Sequence, residues 1–157
     1  MKNKKQIVAV SGGFDPIHIG HVRMILEASE FGDVIVIANS DDWLLRKKGY
    51  VFMPYEEREE ILYAIKGVVD VVKADDDDNT VCKTLAKIKP DIFANGGDRK
   101  INKVPEYDTC KKLNIKLKFG VGGNDKPQSS SWLVEKLKEN KNGCKWIFRK
   151  TNEIIYG

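Results

Sequence analysis

The chain has few of the groups on which many chemistries depend. Of its 157 residues only two are histidine and three cysteine. The cysteines, Cys82, Cys110 and Cys144, are odd in number and far apart, and no Cys-x-x-Cys or mixed Cys/His ligand spacing occurs. Free thiols in a reducing compartment follow, rather than a structural zinc site or a disulfide framework. No apolar run reaches the roughly eighteen residues of a membrane-spanning helix. The N-terminal "MKNKKQIVAV" is basic and then apolar, but its apolar part is too short for a signal-peptide core. It reads as a first strand, and the expected compartment is the cytoplasm. Charge of one sign is also scarce: 27 basic residues oppose 23 acidic ones, a net +4. That excess is too small to coat a nucleic acid, so no nucleic-acid or membrane partner is expected. It suits small anionic substrates if basic groups converge on one cleft.

What is present is a regular alternation. "QIVAV" (Gln6–Val10) and "VIVIAN" (Val34–Asn39) are apolar and β-branched, as buried strands are. "VDVVKA", "DIFAN" and "IKLKFGV" follow as a third, fourth and fifth strand. Helical segments fall between them. In "GHVRMILEASEFGD", Val22, Ile25, Leu26 and Ser29 share one face and Gly32 suits a C-cap. A basic loop, "RKKGYVF", leads to "MPYEEREEILYAIKG", with Pro54 in the first turn and Gly67 at the end. "VCKTLAKIK" is a helix capped by Asn79 or a neighbour, "VPEYDTCKKLN" a helix with Pro105 in its first turn, and "SSSWLVEKLKEN" an amphipathic last helix. The run Asp75–Asp78 is read as a solvated loop, since the Asp-x-Asp-x-Asp-Gly spacing of a calcium site is lacking. Five buried strands alternating with helices give an α/β, Rossmann-like fold: a five-stranded parallel sheet with helices on both faces. No internal repeat occurs.

Both histidines lie in one stretch, "SGGFDPIHIGH", between the first strand and the first helix. Ligands of such sheets bind beyond the carboxyl ends of the strands. Gly12 and Gly13 let backbone approach a ligand closely, and the helix opening near Gly20 aims free N–H groups at the same place. The loop is therefore built for an anion, most simply a phosphate. His18 and His21, three residues apart, project to one side if the helix begins near Ile19. Imidazole beside a phosphate can donate to non-bridging oxygens as charge grows there. Neither the Walker loop nor the Gly-x-Gly-x-x-Gly dinucleotide fingerprint is present. Arg58 heads an apolar stripe continued by Ile61, Leu62 and Ile65, so it faces inward and requires an anionic partner.

These residues carry a family likeness. "GGFDPIHIGH" resembles the Gly-x-Phe-Asp-x-x-His-x-Gly-His signature of the cytidylyltransferase-like nucleotidylyltransferases. "PYEEREEIL" is similar to that family's arginine-bearing helix, and "KPDIFANGGD" to a segment of the heptose-phosphate adenylyltransferases. "QSSSWLVEKL" stands where relatives carry Ser-Thr-Thr before their last helix. The likeness runs from about Ile7 to Leu137. It implies a nucleotidylyltransferase domain over residues 1–140 with a C-terminal extension, 141–157, packed on it. It further implies transfer of a nucleoside monophosphate from ATP or CTP, with magnesium, to a phosphorylated small molecule, and release of pyrophosphate. The acceptor favoured is a sugar phosphate, and a second copy of the chain is an expected partner.

Carried over by motif, His18, His21, Lys47 and Arg58 would be catalytic. Gly12, Gly13, Phe14, Asp15 and Gly20 would hold the nucleotide, with Asp98, Arg99 and the serines Ser129, Ser130 and Ser131. Arg46, Lys48 and Lys126 would meet the acceptor phosphate; no protein metal ligand is implied. Glycerol-phosphate cytidylyltransferases, also similar, carry an arginine where this chain has Asn124. Lys126 and Arg99 are the candidates to replace it. "GVGGNDKP" is glycine-rich enough for a lid. Two other readings stand beside this one: a nucleotide-binding or regulatory module without turnover, and a fragment of a class I tRNA synthetase. The chain is too short for tRNA-binding parts, and "DKPQSSS" is a poor match to the synthetase Lys-Met-Ser-Lys-Ser loop.

Overall fold

A computed structural model describes residues 5–97, 104–123 and 127–139. Asp98, Arg99, Asn124, Lys126, Cys144 and the expected extension 141–157 lie outside the described residues. The strands are β1 (Ile7–Gly12), β2 (Asp33–Ala38), β3 (Val68–Lys73), β4 (Ile92–Gly96) and β5 (Lys116–Val121). The helices are α1 (Ile19–Ala28), α2 (Asp41–Lys48), α3 (Tyr55–Tyr63), α4 (Cys82–Ile88), α5 (Tyr107–Lys112) and α6 (Ser130–Glu139). All strand pairs are parallel, in the order β3-β2-β1-β4-β5.

Period-two alternation sorts the side chains of the central strands onto two faces. Val8 and Val10 of β1, with Val34 and Val36 of β2, join Met24, Ile25 and Ala28 of α1 and Leu62 of α3 in one buried cluster. Ala9, Ile37 and Phe93 join Leu85 of α4 and Cys110 of α5 in the other. Helices therefore cover both faces, as the apolar strands required. The chain leaves β1 toward β2 on one side and returns from β3 to β4 on the other. That reversal opens a cleft above the carboxyl ends of β1 and β4.

Four sequence expectations are corrected. The "basic loop" is largely the helix α2. Ser40 caps it by accepting from Trp43 N, Asp41 and Asp42 fill its first turn, Arg46–Lys48 its last, and Gly49 closes it at φ +79. Gly32 is not the C-cap of α1; Ser29 is. At Gly32 a Cβ would stand 2.1 Å from the Gln6 carbonyl oxygen, so the glycine is needed for close approach to the chain before β1. Leu26, placed on the buried face, is instead 39% exposed, and Met24 takes its place in the core. Asn79 sits at φ +63 in the turn before α4, whose N-cap is Val81; it is Thr80 Oγ1 that accepts from Cys82 N.

The aspartate run is not uniformly solvated either. Asp76 is buried and accepts from Asn39 Nδ2 at 3.0 Å, Ser40 N at 2.9 Å and Ser40 Oγ at 2.6 Å. Arg46 Nη2 donates to its carbonyl at 2.7 Å. The loop after β3 is thereby tied to the start of α2. Asp76→Ala removes the acceptor from three donors and should cost about 2–3 kcal/mol in urea unfolding. Asp78→Ala, on an exposed turn, should leave the midpoint nearly unmoved.

Candidate functional site

The cleft encloses about 420 Å³ and is floored by the ends of β1 and β4. Its walls come from the β1–α1 loop, the last residue of α2, the end of β5 and the start of α6. The histidine spacing has a local cause. His18 is the N-cap of α1, and its Nδ1 accepts from Gly20 N at 3.1 Å. His21 reaches back, its Nδ1 accepting from His18 N at 3.3 Å. The pair forms a reciprocal cap, the imidazole counterpart of the Ser/Glu capping box. The rings stack at 3.7 Å between centroids with 24° between planes. A Cβ at Gly20 would meet His18 Cε1 at 2.9 Å, so glycine there preserves the ring position.

This capping sets protonation. A ring whose Nδ1 accepts from a backbone N–H carries its proton on Nε2 and is neutral. Burial, the neighbouring His18 and Lys48 push the His21 pKa down to about 3. Both rings line the cleft, so the site presents imidazoles as donors, His21 in its neutral form. Lys48 joins them: its Nζ donates to the Asp15 carbonyl at 3.2 Å. Burial lowers its pKa, Asp15 opposes the shift, and Arg58 adds to it.

The other expected residues divide clearly. Gly12, Gly13, Gly20, His18, His21 and Lys48 line the cleft, as do Ser129, Ser130 and Ser131 at the start of α6. Ser130 Oγ donates to the Pro16 carbonyl at 2.9 Å and so fastens α6 to the histidine loop. Lys47 and Arg46 do not line the cleft. On a helix, successive residues point about 100° apart, so the three basic side chains of α2 cannot converge as they could from a loop. Lys47 is exposed, and Arg46 is turned to the Asp76 carbonyl. Phe14 does not lie against the cleft. At φ +51 its ring turns into the core, 1% exposed, and meets the His21 ring edge-on at 4.9 Å. Asp15 is fully buried, accepting from Phe52 N at 2.7 Å and Met53 N at 2.6 Å.

Arg58 faces inward as expected but does not reach the cleft. It is 0% exposed, and its anionic partner is Asp41 Oδ1 at 2.6 Å. Nη1 donates to the carbonyls of Gly13 (2.7 Å) and Asn39 (2.8 Å), and Nε to that of Met53 (3.0 Å). It is a positioning residue for the histidine loop. Sequence reasoning passed over Asn95 and Gln128, which also line the cleft, as do Gly122 and Gly123 of the glycine-rich stretch expected as a lid. A polar residue closing the apolar strand "DIFAN" was the available signal for Asn95.

Among the described residues no three His, Cys, Asp or Glu side chains gather as a metal site, and no carboxylate lines the cleft. The donor set suits a magnesium ion carried on phosphate oxygens and water, not one caged by protein. Bound in that way, the ion would neutralise phosphate charge.

Two outcomes test this geometry. Arg58→Lys cannot reproduce the four-way fork and leaves buried carbonyls unpaired, so it should cost about 3 kcal/mol in urea unfolding. The His21 ring should remain the neutral Nε2–H tautomer from pH 8 to pH 5 by nitrogen-15 NMR. Unfolded His21 takes up a proton near pH 6.5, whereas the folded form does so only near 3. Its contribution to stability is therefore complete above 6.5 and is lost progressively as pH falls toward 3. A His21 titration near 6.5 in the folded protein would overturn the assignment.

Comparison with known proteins agrees with the geometry. The chain is 35% identical over 112 residues to a FAD synthase of Ferroglobus placidus, covering 71% of this chain and 72% of that one. It is 33% identical over 147 residues to the bifunctional protein HldE of Campylobacter concisus, covering 92% of this chain but only 29% of that longer protein. The crystal structure of a lipopolysaccharide core biosynthesis protein from Thermoplasma volcanium superposes with a TM-score of 0.59 at 26% identity, over 74% of this chain and 95% of the other. No helix among the described residues is long and apolar enough to cross a membrane. A family model described as cytidylyltransferase-like matches residues 9–142, and the chain belongs to that family.

Proposed function

We propose that this chain is a nucleotidylyltransferase that moves a nucleoside monophosphate from a nucleoside triphosphate to a phosphorylated small molecule, releasing pyrophosphate. One observation carries the reading. At the switch point of the sheet, two histidines, one lysine and the N-terminal turn of α6 converge on a cleft whose described lining holds no carboxylate. Such a site gathers phosphate oxygens and repels nothing that bears them.

The chemistry asks little covalent work of the protein. An acceptor phosphate oxygen attacks the α-phosphorus, a new P–O–P linkage forms, and the bond to the β-phosphate oxygen breaks. The pair in that bond leaves with pyrophosphate. Catalysis is then placement plus stabilisation of charge on the crowded phosphorus. His18 and His21 would donate Nε2–H to its non-bridging oxygens, held in register by their own Nδ1 bonds. Lys48 would bring the acceptor phosphate or the triphosphate to them. The α6 turn, with Ser129 and Ser131, would receive the β- and γ-phosphates. Arg58 and Asp15 keep the loop in place without touching substrate.

The nucleotide favoured is ATP, because FAD carries an adenylyl group and the HldE likeness extends over most of this chain. These two relatives also support different acceptors, a flavin phosphate and a sugar phosphate; the "KPDIFANGGD" likeness favours the sugar phosphate. Pyrophosphate release should be screened with magnesium and each nucleoside triphosphate against a panel of such phosphates. His21→Ala should lower kcat about 10²- to 10³-fold. Lys48→Ala should lower kcat/KM about tenfold or more, and Lys47→Ala should change it less than about twofold. Equal losses at Lys47 and Lys48 would contradict the helix geometry. Absence of release with every pair would reject the transferase reading.

A further inference from the structure

The inference concerns Asn95, and it rests on the nucleotide-binding reading just given. Asn95 is 4% exposed at the carboxyl end of β4, and it lines the cleft. Its Nδ2 is buried and has no hydrogen-bond partner among the described residues. An unpaired buried amide donor is costly, and native proteins keep few of them without a use. The strand geometry here is also unusual. Ala94 pairs with Lys118 but Gly96 with Val121, so the ladder loses register across Asn95. Such irregularities recur beside sites because they re-aim a side chain.

The neighbours define what the amide can meet. The cationic and helix-terminal groups of the cleft belong to the β1–α1 loop, α2 and α6. On the Asn95 side, by contrast, the described lining is Gly96, Gly97, Val121, Gly122 and Gly123 with the apolar side chain of Met24, and no charged group. Cβ atoms at Gly97 and Gly123 would meet nothing within 4 Å, so these two glycines border open space. A slot whose described lining carries no charge, beside a neutral donor, suits a phosphate poorly. It suits the heterocycle and ribose of the nucleotide whose phosphates lie along the histidines. We propose that Asn95 is a nucleoside-binding residue of the nucleotide site, its Nδ2 donating to an uncharged acceptor of the nucleoside, a base ring nitrogen or carbonyl or a ribose hydroxyl.

The test uses the full chain and the near-isosteric Asn95→Leu. Urea unfolding is measured without ligand, and calorimetric titrations follow with magnesium and ATP, CTP, GTP, UTP or inorganic tripolyphosphate. Removing an unsatisfied donor should leave the ligand-free midpoint unchanged or raise it, whereas an asparagine kept only for structure would lower it. The nucleotide that wild type binds tightest should lose about five- to tenfold in affinity, while tripolyphosphate should change less than about twofold. Unchanged nucleotide affinity, a loss shared equally by tripolyphosphate, or a lowered midpoint would overturn the role. Loss confined to KM for the acceptor phosphate would assign the amide to the other substrate and overturn it too. If wild type binds none of the four nucleotides, the transferase reading itself falls and this inference with it. The two failures are therefore distinguishable.

Discussion

The histidine loop depends on one buried guanidinium. Arg58 donates to three carbonyls and one carboxylate that come from three separate segments of chain: the loop after β1, the β2–α2 junction and the residues before α3. No apolar side chain could replace it, because those carbonyls would be left without donors inside the protein. Desolvating the cation is offset by Asp41 and by the fixed geometry of the fork. Asp15 supplies the complementary half, its carboxylate turned to the amides of Phe52 and Met53. Carbonyls of the loop thus meet an arginine, and a carboxylate of the loop meets amides. The loop is stiffened from below, and the upper side is left to the cleft.

On that base the histidines serve two purposes with different atoms. Their Nδ1 atoms end the helix and bind the loop to it; their Nε2–H groups are donors. Structural and chemical roles do not compete, since the two nitrogens of one ring are distinct. Lys48 shows a similar economy. It lies in the last turn of α2, where a cation is favoured by the helix dipole, and it stands where phosphate oxygens would arrive.

Much of this could be read from the chain. The five strands and most helices were legible because their apolar periodicity is local, and "GGFDPIHIGH" concentrates its chemistry in one loop. The helix α2 was missed for a physical reason: it buries only Leu44, so it shows no apolar stripe. Its caps and charge pattern, Ser40 with Asp41 and Asp42, then Arg46–Lys48 and Gly49, held the information instead. With the helix, the choice between Lys47 and Lys48 would have followed. Asp76 offered no such signal, because its partners Asn39 and Ser40 are 37 and 36 residues away. Arg58 was read correctly as facing inward, but a stripe cannot tell which anion the side chain meets.

The seam between α1 and β5 sets a further limit. Gly122, at φ +89, donates its N–H to Glu27 Oε2 at 2.7 Å, and a Cβ there would stand 2.9 Å from Met24 Cα and N. The main chain of the β5 end therefore touches the main chain of α1 with nothing between. Two backbones in contact have no side chain to trim. The distance across this side of the cleft acts as a fixed gauge, and enlarging the pocket for a bulkier substrate would have to begin at another wall.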